Sequence, residues 1–463
     1  MKRLACIILI ITILVSGLAF VRTGVHAATV GGNITTNTEW TTNDSPVILN
    51  GSIRLTANAT LIIDPGVTVN FGNSYYSIDI GGTLVAIGTP DNPITFTIPD
   101  NQTNGRSIFF EPSSPGWSDA TNSGSIIQYA NFNKIYVYTS SSLKIDNCNF
   151  NFAVPQSPII ISGGSPTISN NKIVFTGQDP SHYCYGISVQ SGTPTITNNE
   201  FDGNGQLTGI NAQSSNPFTI SNNIFSKCWI GVKAPTTVVL TVQGNQFLGC
   251  NDGLDINEVA RLTISGNLID SCIRYGINGG GVIESNTITN NQIGIHNPST
   301  GSVINDNNIV GNIGNSVTTG AASVDAQNNW WGISDAWTIN QTIYDFYDDS
   351  SLGKINFVPF LNGPDPSAPA IPISTPTITP IPTAKPVQTT VQPTVEPTIQ
   401  PPTLEPTPTQ KSEPILNDTS DLLNLNLFTG IVVTLLALVW IVVILGYVAK
   451  SGISKYKAKN KSS

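Results

Sequence analysis

One phrase keeps returning between Pro166 and Asn312: PTISNNKI, PTITNNEF, FTISNNIF, LTVQGNQF, LTISGNLI, GVIESNTI and SVINDNNI. Its sixth letter is always Asn, which marks Asn171, Asn199, Asn223, Asn245, Asn267, Asn286 and Asn307 at steps of 28, 24, 22, 22, 19 and 21 residues. A repeat of this length describes units that cannot bury an apolar face alone and must stack on their neighbours. Each phrase is β-rich, carries Asn at its turn and is soon followed by Gly plus an aliphatic residue. The pattern predicts an all-β chain, wound as a right-handed parallel β-helix with three short strands and about 22 residues per coil.

Equivalent positions of such a solenoid stack about 4.8 Å apart, so spacing converts into neighbours. Three columns follow. The marker asparagines form an amide ladder, since a carboxamide both donates and accepts. Five positions later stand Asn204, Cys228, Cys250, Cys272, Asn291 and Asn312. This column predicts a buried thiol stack, with a single bridge or a metal site as the alternatives. The third column is set by the pairs Gly186-Ile187, Gly209-Ile210, Gly231-Val232, Gly253-Leu254, Gly276-Ile277 and Gly294-Ile295. The residues after them, Ser188, Asn211, Lys233, Asp255, Asn278 and His296, should face outward as a polar stripe with Lys233 beside Asp255. Asp252 and Arg274, 22 apart, form an expected ion pair between coils.

Upstream, short alternating strands run from Val30 to about Ile98, and the period lapses between Pro99 and Gly124, which reads as a projecting loop around Trp117. Downstream, Trp330 and Trp331 replace the aliphatic pair of the next coil and predict a cap over residues 327–362. The ends of the chain read as topogenic. Residues 1–27 have the basic start, apolar run and small-residue exit of a secretory signal peptide. Residues 28–362 make the ectodomain, 363–421 a disordered Pro/Thr-rich stalk, 425–449 a transmembrane helix and 450–463 a lysine-rich cytoplasmic tail. Sequons at Asn33, Asn43, Asn50, Asn58, Asn101, Asn340 and Asn417 predict glycosylation, and none lies between Gln102 and Ile339.

The stretches IDPGVTVNF and GGTLVAIGTPDNPITFT resemble the opening coils of right-handed β-helix surface proteins of the pectate-lyase-like and NosD-like repeat superfamily. The resemblance extends to about Leu361. It implies the solenoid fold and raises the possibility of polysaccharide chemistry, since many such helices are lyases, hydrolases or epimerases. The combined acidic, Gly-His-Gly and Arg-Ile-Lys set of polygalacturonases is missing, and Asp179-Pro-Ser-His182 is only a distant echo of the Asp-Pro-His-Glu motif of mannuronan epimerases. Candidate catalytic residues are therefore restricted to Lys233, Asp255 and His296. Candidate ligand-binding residues are Asn211 and Asn278 on the stripe, and Asp179, His182, Tyr183 and Tyr185 in the longest repeat. Asp345, Asp348 and Asp349 offer oxygen ligands for Ca²⁺, with a solvated acidic turn as the alternative.

Only 11% of the 463 residues are charged and the net charge is −9, which excludes a basic nucleic-acid face. The expected function is a non-catalytic, membrane-anchored surface or adhesion protein whose sides bind polysaccharide or another envelope component. The alternative is a carbohydrate-active enzyme working at the external stripe. An accessory role in copper delivery is a third reading, opposed by the single Met and three His.

Overall fold

The computed structural model describes residues 27–372, apart from 73–74, 100–105, 154–155, 179–183, 236–237 and 257–261. The signal-peptide, transmembrane and tail segments lie outside the described residues, as does the stalk beyond 372. Among the described residues no helix is long and apolar enough to cross a membrane.

The chain forms a right-handed parallel β-solenoid of about 23 residues per turn. A typical coil has three strands, Leu240–Gln243 on a first face, Gln246–Leu248 on a second and Asp252–Ile256 on a third. Each pairs in parallel with its equivalent in the next coil; Leu240 meets Leu262, Gln246 meets Leu268 and Lys233 meets Asp255. The first face stacks 14 such strands.

The repeated phrase folds this way for a local reason. The residue before each marker adopts a left-handed conformation: Asn170, Asn198, Asn222, Gly244, Gly266, Ser285, Asp306 and Asn328 all have φ between 54° and 65°. Asn and Gly tolerate that region best, hence the recurring Asn-Asn and Gly-Asn pairs. The turn throws the marker inward, where its amide meets the next coil. Asn199 Nδ2 donates to Asn223 Oδ1 at 3.0 Å, and Asn223, Asn245, Asn267, Asn286 and Asn307 repeat the contact. Each Oδ1 also accepts the backbone N–H of the coil before, as Asn245 Oδ1 does from Asn223 at 2.9 Å. The ladder ends on Asn329, one coil beyond the last recognisable phrase, in the same Asn-Asn pair that precedes the tryptophans.

Apolar columns fill the rest of the interior. Phe201, Phe225 and Phe247 stack with centroids 4.7 and 4.9 Å apart. Their rings explain the invariable glycine of the third face: a Cβ on Gly231 would lie 2.4 Å from Phe247 Cδ1 and 2.5 Å from the Gly253 carbonyl. Cys228, Cys250 and Cys272 are buried free thiols, and Asn291 and Asn312 continue their column as a second amide ladder. A hydrogen bond to Cys250 and then burial push the Cys228 thiol well up, so that thiol is protonated.

Two boundaries differ from expectation. Pro99 to Gly124 is not wholly a loop, because Arg106–Phe110 is a strand paired with Ile78–Ile80 and Ile135–Thr139, with Ile108 and Phe110 fully buried. Its Ser-Ile-Phe-Phe run is too short to show a period beside the Ser/Pro-rich stretch that follows. At the other end Trp331 closes the core against Phe357, with the helix Ala336–Asn340 and its buried Ile339 alongside. The solenoid unit then runs past residue 362. Asp365 N–H donates to Asn308 Oδ1 at 2.7 Å, Ser367 and Ser285 hydroxyls lie 2.9 Å apart, and Thr287 Oγ1 donates to the Pro369 carbonyl.

Candidate binding face

The predicted stripe exists and its register is continuous. Ser188, Asn211, Lys233, Asp255, Asn278 and His296 are successive strand partners on the third face, followed by Thr318 and Tyr344. Its two halves differ in exposure. Ser188 and Asn211 are each only 4% exposed, because longer side chains stand beside them in the column, Ile160 before and Lys233 after. Asn211 is therefore not available as a ligand residue. Lys233, Asp255, Asn278 and His296 are half-buried.

Lys233 and Asp255, neighbours by register, form no ion pair; Asp255 Oδ1 instead accepts from Asn278 Nδ2 at 2.9 Å. The pair that does form is Asp252–Arg274, and it organises the site. Arg274 Nε donates to Asp252 Oδ1 at 2.9 Å and Nη2 donates to Oδ2, a two-pronged contact that fixes the plane of the guanidinium. The Asp252 side chain is completely buried, whereas that of Arg274 is 48% exposed. Hydrogen bonding to Asp252 raises the Arg274 pKa still further.

The held guanidinium lies 4.7 Å from the centroid of the Tyr275 ring. His296, one coil on, stacks on the same tyrosine at 4.2 Å and 7° between planes. Its Nδ1 shares a 2.7 Å hydrogen bond with Thr318 Oγ1. Burial, and secondarily the Arg274 charge, lower the His296 pKa, so the imidazole is neutral at pH 7. Four consecutive strands thus carry one connected set of side chains from Asp252 and Asp255 to Thr318. Sequence reasoning missed Tyr275 as a member. Alternation predicts one outward residue after each Gly, but the residue before the Gly also forms a column, half-buried in three coils and buried in the other three. That second column, Tyr185, Thr208, Ile230, Asp252, Tyr275 and Ile293, is visible in the spacing once the register is known.

Both acids of this surface have partners within the protein. Asp252, the one buried carboxylate in it, is spent on Arg274. Asp255 lies on the same strand and hydrogen-bonds Asn278, so two acids do not face each other across a scissile bond. The face is a run of paired parallel strands. A groove of about 380 Å³ lies elsewhere, lined by Val174, Phe175, Thr176, Asp202, Asn204 and Lys227, with no stripe residue among them.

Of the remaining candidates, Asp179, His182 and Tyr183 lie outside the described residues, and Tyr185 is half-buried at the start of Tyr185–Val189. The three acids of the cap serve turns. Asp345 accepts from the Tyr347 and Ile355 amides at 3.0 and 2.8 Å, Asp348 from the Asp345 amide at 3.1 Å, and Asp349 from Ser351. Asn33, Asn43, Asn50 and Asn58 are exposed, Asn340 is half-buried, and Asn101 and Asn417 are outside the described residues.

Residues 100–281 match the family model described as periplasmic copper-binding protein (NosD). Two solved structures are similar. One is the PL6 family alginate lyase AlyGC, 15% identical with a TM-score of 0.37, the match covering 62% of this chain and 50% of the lyase. The other is a mutant of the periplasmic alginate epimerase AlgG, 12% identical with a TM-score of 0.35, covering 71% of this chain and 85% of the epimerase. The chain thus spans about half the length of the lyase. No curated protein sequence matches the chain significantly.

Copper is named in the family description. Among the described residues no three His, Cys, Asp or Glu side chains form a group that would hold a metal. The stacked cysteines are enclosed, with Cys228 and Cys272 pushed toward the protonated thiol, whereas a metal needs thiolates.

Proposed function

We propose that this chain is an extracellular, membrane-anchored β-helix that binds polysaccharide on its third face without cleaving it. The observation that carries the reading is the fixed, half-exposed Arg274 guanidinium, held against Tyr275 by a wholly buried Asp252. A surface arginine ordinarily loses side-chain entropy when a ligand fixes it; this one has already lost it. Two of its five N–H groups are committed to Asp252, which leaves three on a half-exposed side chain. Sugar hydroxyls suit such a surface: Asn278 and Asp255 supply further hydrogen-bonding groups on the adjacent coils, and the Tyr275–His296 pair an apolar patch. The charges of Lys233, Arg274, Asp252 and Asp255 sum to zero, so attraction should rest on hydrogen bonds and stacking rather than on long-range charge.

The test is affinity electrophoresis of the purified ectodomain through gels containing neutral or uronate polymers, with the same polymers assayed for new reducing or unsaturated ends. Retardation without new ends is expected, changing little between low and physiological salt. New ends abolished by Asp255→Ala or His296→Ala would replace this reading with the enzymatic one.

A further inference from the structure

Four sequons fall within the first two coils, and all four asparagines are exposed. They are arranged around the coil rather than along it. Asn33 lies on the end strand Thr29–Ile34 of the third face, and Asn43 in the corner between Thr38–Trp40 and Val47. Asn50 occupies the bend where the strand Val47–Leu55 passes from the second face to the third. Its Oδ1 fills the place a Cβ of Gly31 would take, 2.5 Å away, so residue 31 leaves room for it by being glycine. Asn58 sits in the remaining corner, before Thr60–Ile63. Three corners and one face are therefore marked.

This end of the solenoid has a need for cover. Among the described residues Thr29–Ile34 pairs only with Val47–Leu55, and Thr38–Trp40 only with Thr60–Ile63. Their outer backbone edges are templates for strand addition by another chain. The body of the helix shows the opposite pattern, with about thirty asparagines between Gln102 and Ile339 and no sequon. For the markers the reason is packing, since the second residue on is a core side chain such as Ile173 or Phe201. Exposed asparagines such as Asn216 and Asn290 escape that constraint, and Asn297-Pro298-Ser299 is closed by its proline.

We propose that Asn33, Asn43, Asn50 and Asn58 carry N-linked glycans that form a collar around the first two coils and stop the edge strands from pairing with a second copy. In each transfer the asparagine Nδ2 bonds to C1 of a lipid-diphosphate-linked oligosaccharide. The C1–O bond breaks, the lipid diphosphate leaves, and the amide proton passes to a base of the transferase. The collar stands independently of the polysaccharide face.

Glycopeptide mass spectrometry of the full chain purified from its source cells is expected to find all four sites occupied; four unmodified asparagines would overturn the proposal. The Asn→Gln quadruple variant from the same cells should form concentration-dependent oligomers in size-exclusion light scattering, with its β circular dichroism unchanged. A pair of changes, Thr35→Ala and Thr60→Ala, removes two acceptors while retaining every asparagine, and should give weaker association. If either variant folds and remains as monomeric as the parent, the collar role is wrong.

Discussion

Two polar ladders run along this solenoid, one residue per coil, and they end in different roles. Inside, Asn199 to Asn329 have all their partners within the protein: each Oδ1 accepts twice, and each Nδ2 as far as Asn307 reaches the next amide and a backbone carbonyl. Outside, Arg274, Asn278 and His296 satisfy one side of their hydrogen-bonding capacity from a neighbouring coil and leave the other toward solvent. The inner ladder is structure because nothing is left over. The outer one is a candidate surface because something is, and because Asp252 fixes where it points.

The comparison breaks first at Asn245. Its removal leaves the buried Asn223 N–H without its acceptor and takes one partner each from the Asn223 amide and the Ile220 carbonyl. Asn245→Ala should cost about 2–4 kcal/mol, a buried unsatisfied group costing about 1–3 kcal/mol and each lost hydrogen bond about 1 kcal/mol. A urea midpoint near that of the parent would show that the ladder relaxes or admits water. Asp252→Asn should cost less, about 1–2 kcal/mol, since the Arg274 end of the pair keeps half its solvent. That variant should also blur Arg274 and weaken polymer binding, which the Asn245 change leaves intact wherever the fold survives.

A finer distinction comes from pH. Because the folded state holds His296 below its ordinary value of 6.5, the unfolded chain binds the proton more readily. Stability from this residue is present above pH 6.5 and falls as pH drops through the lowered folded value. Comparing unfolding midpoints of the parent and His296→Gln across pH 7 to 5 should show a steeper acid-side loss for the parent; parallel curves would remove His296 from the coupled surface. The smallest effect belongs to Lys233→Ala. With no ion pair to Asp255, it should shift stability within about 0.5 kcal/mol. A loss above 1 kcal/mol would mean that the pair forms in solution.

The two ladders were also unequally legible. The Asn markers, the cysteine column and the stripe register follow from period alone, because a solenoid turns sequence distance into contact. Tyr275 did not follow, because it stands before the glycine, where alternation names no outward residue. Nor did the absence of a Lys233–Asp255 ion pair, since register makes two residues neighbours without deciding which neighbour a flexible side chain chooses. The strand Arg106–Phe110 was hidden by its long connections, and the docking of Asp365 and Ser367 by a composition shared with the stalk.

The central claim is that the Asp252-held guanidinium is a binding group and not merely an inter-coil tie. Its most direct test is affinity electrophoresis of Arg274→Lys beside the parent, with the urea midpoint of each recorded. Lysine keeps the charge and the reach but loses the planar fork, so polymer binding should fall roughly tenfold, about 1.4 kcal/mol, with little change in the midpoint. Undiminished binding by a stably folded Arg274→Lys ectodomain, or no retardation of the parent by any polymer, would contradict the account.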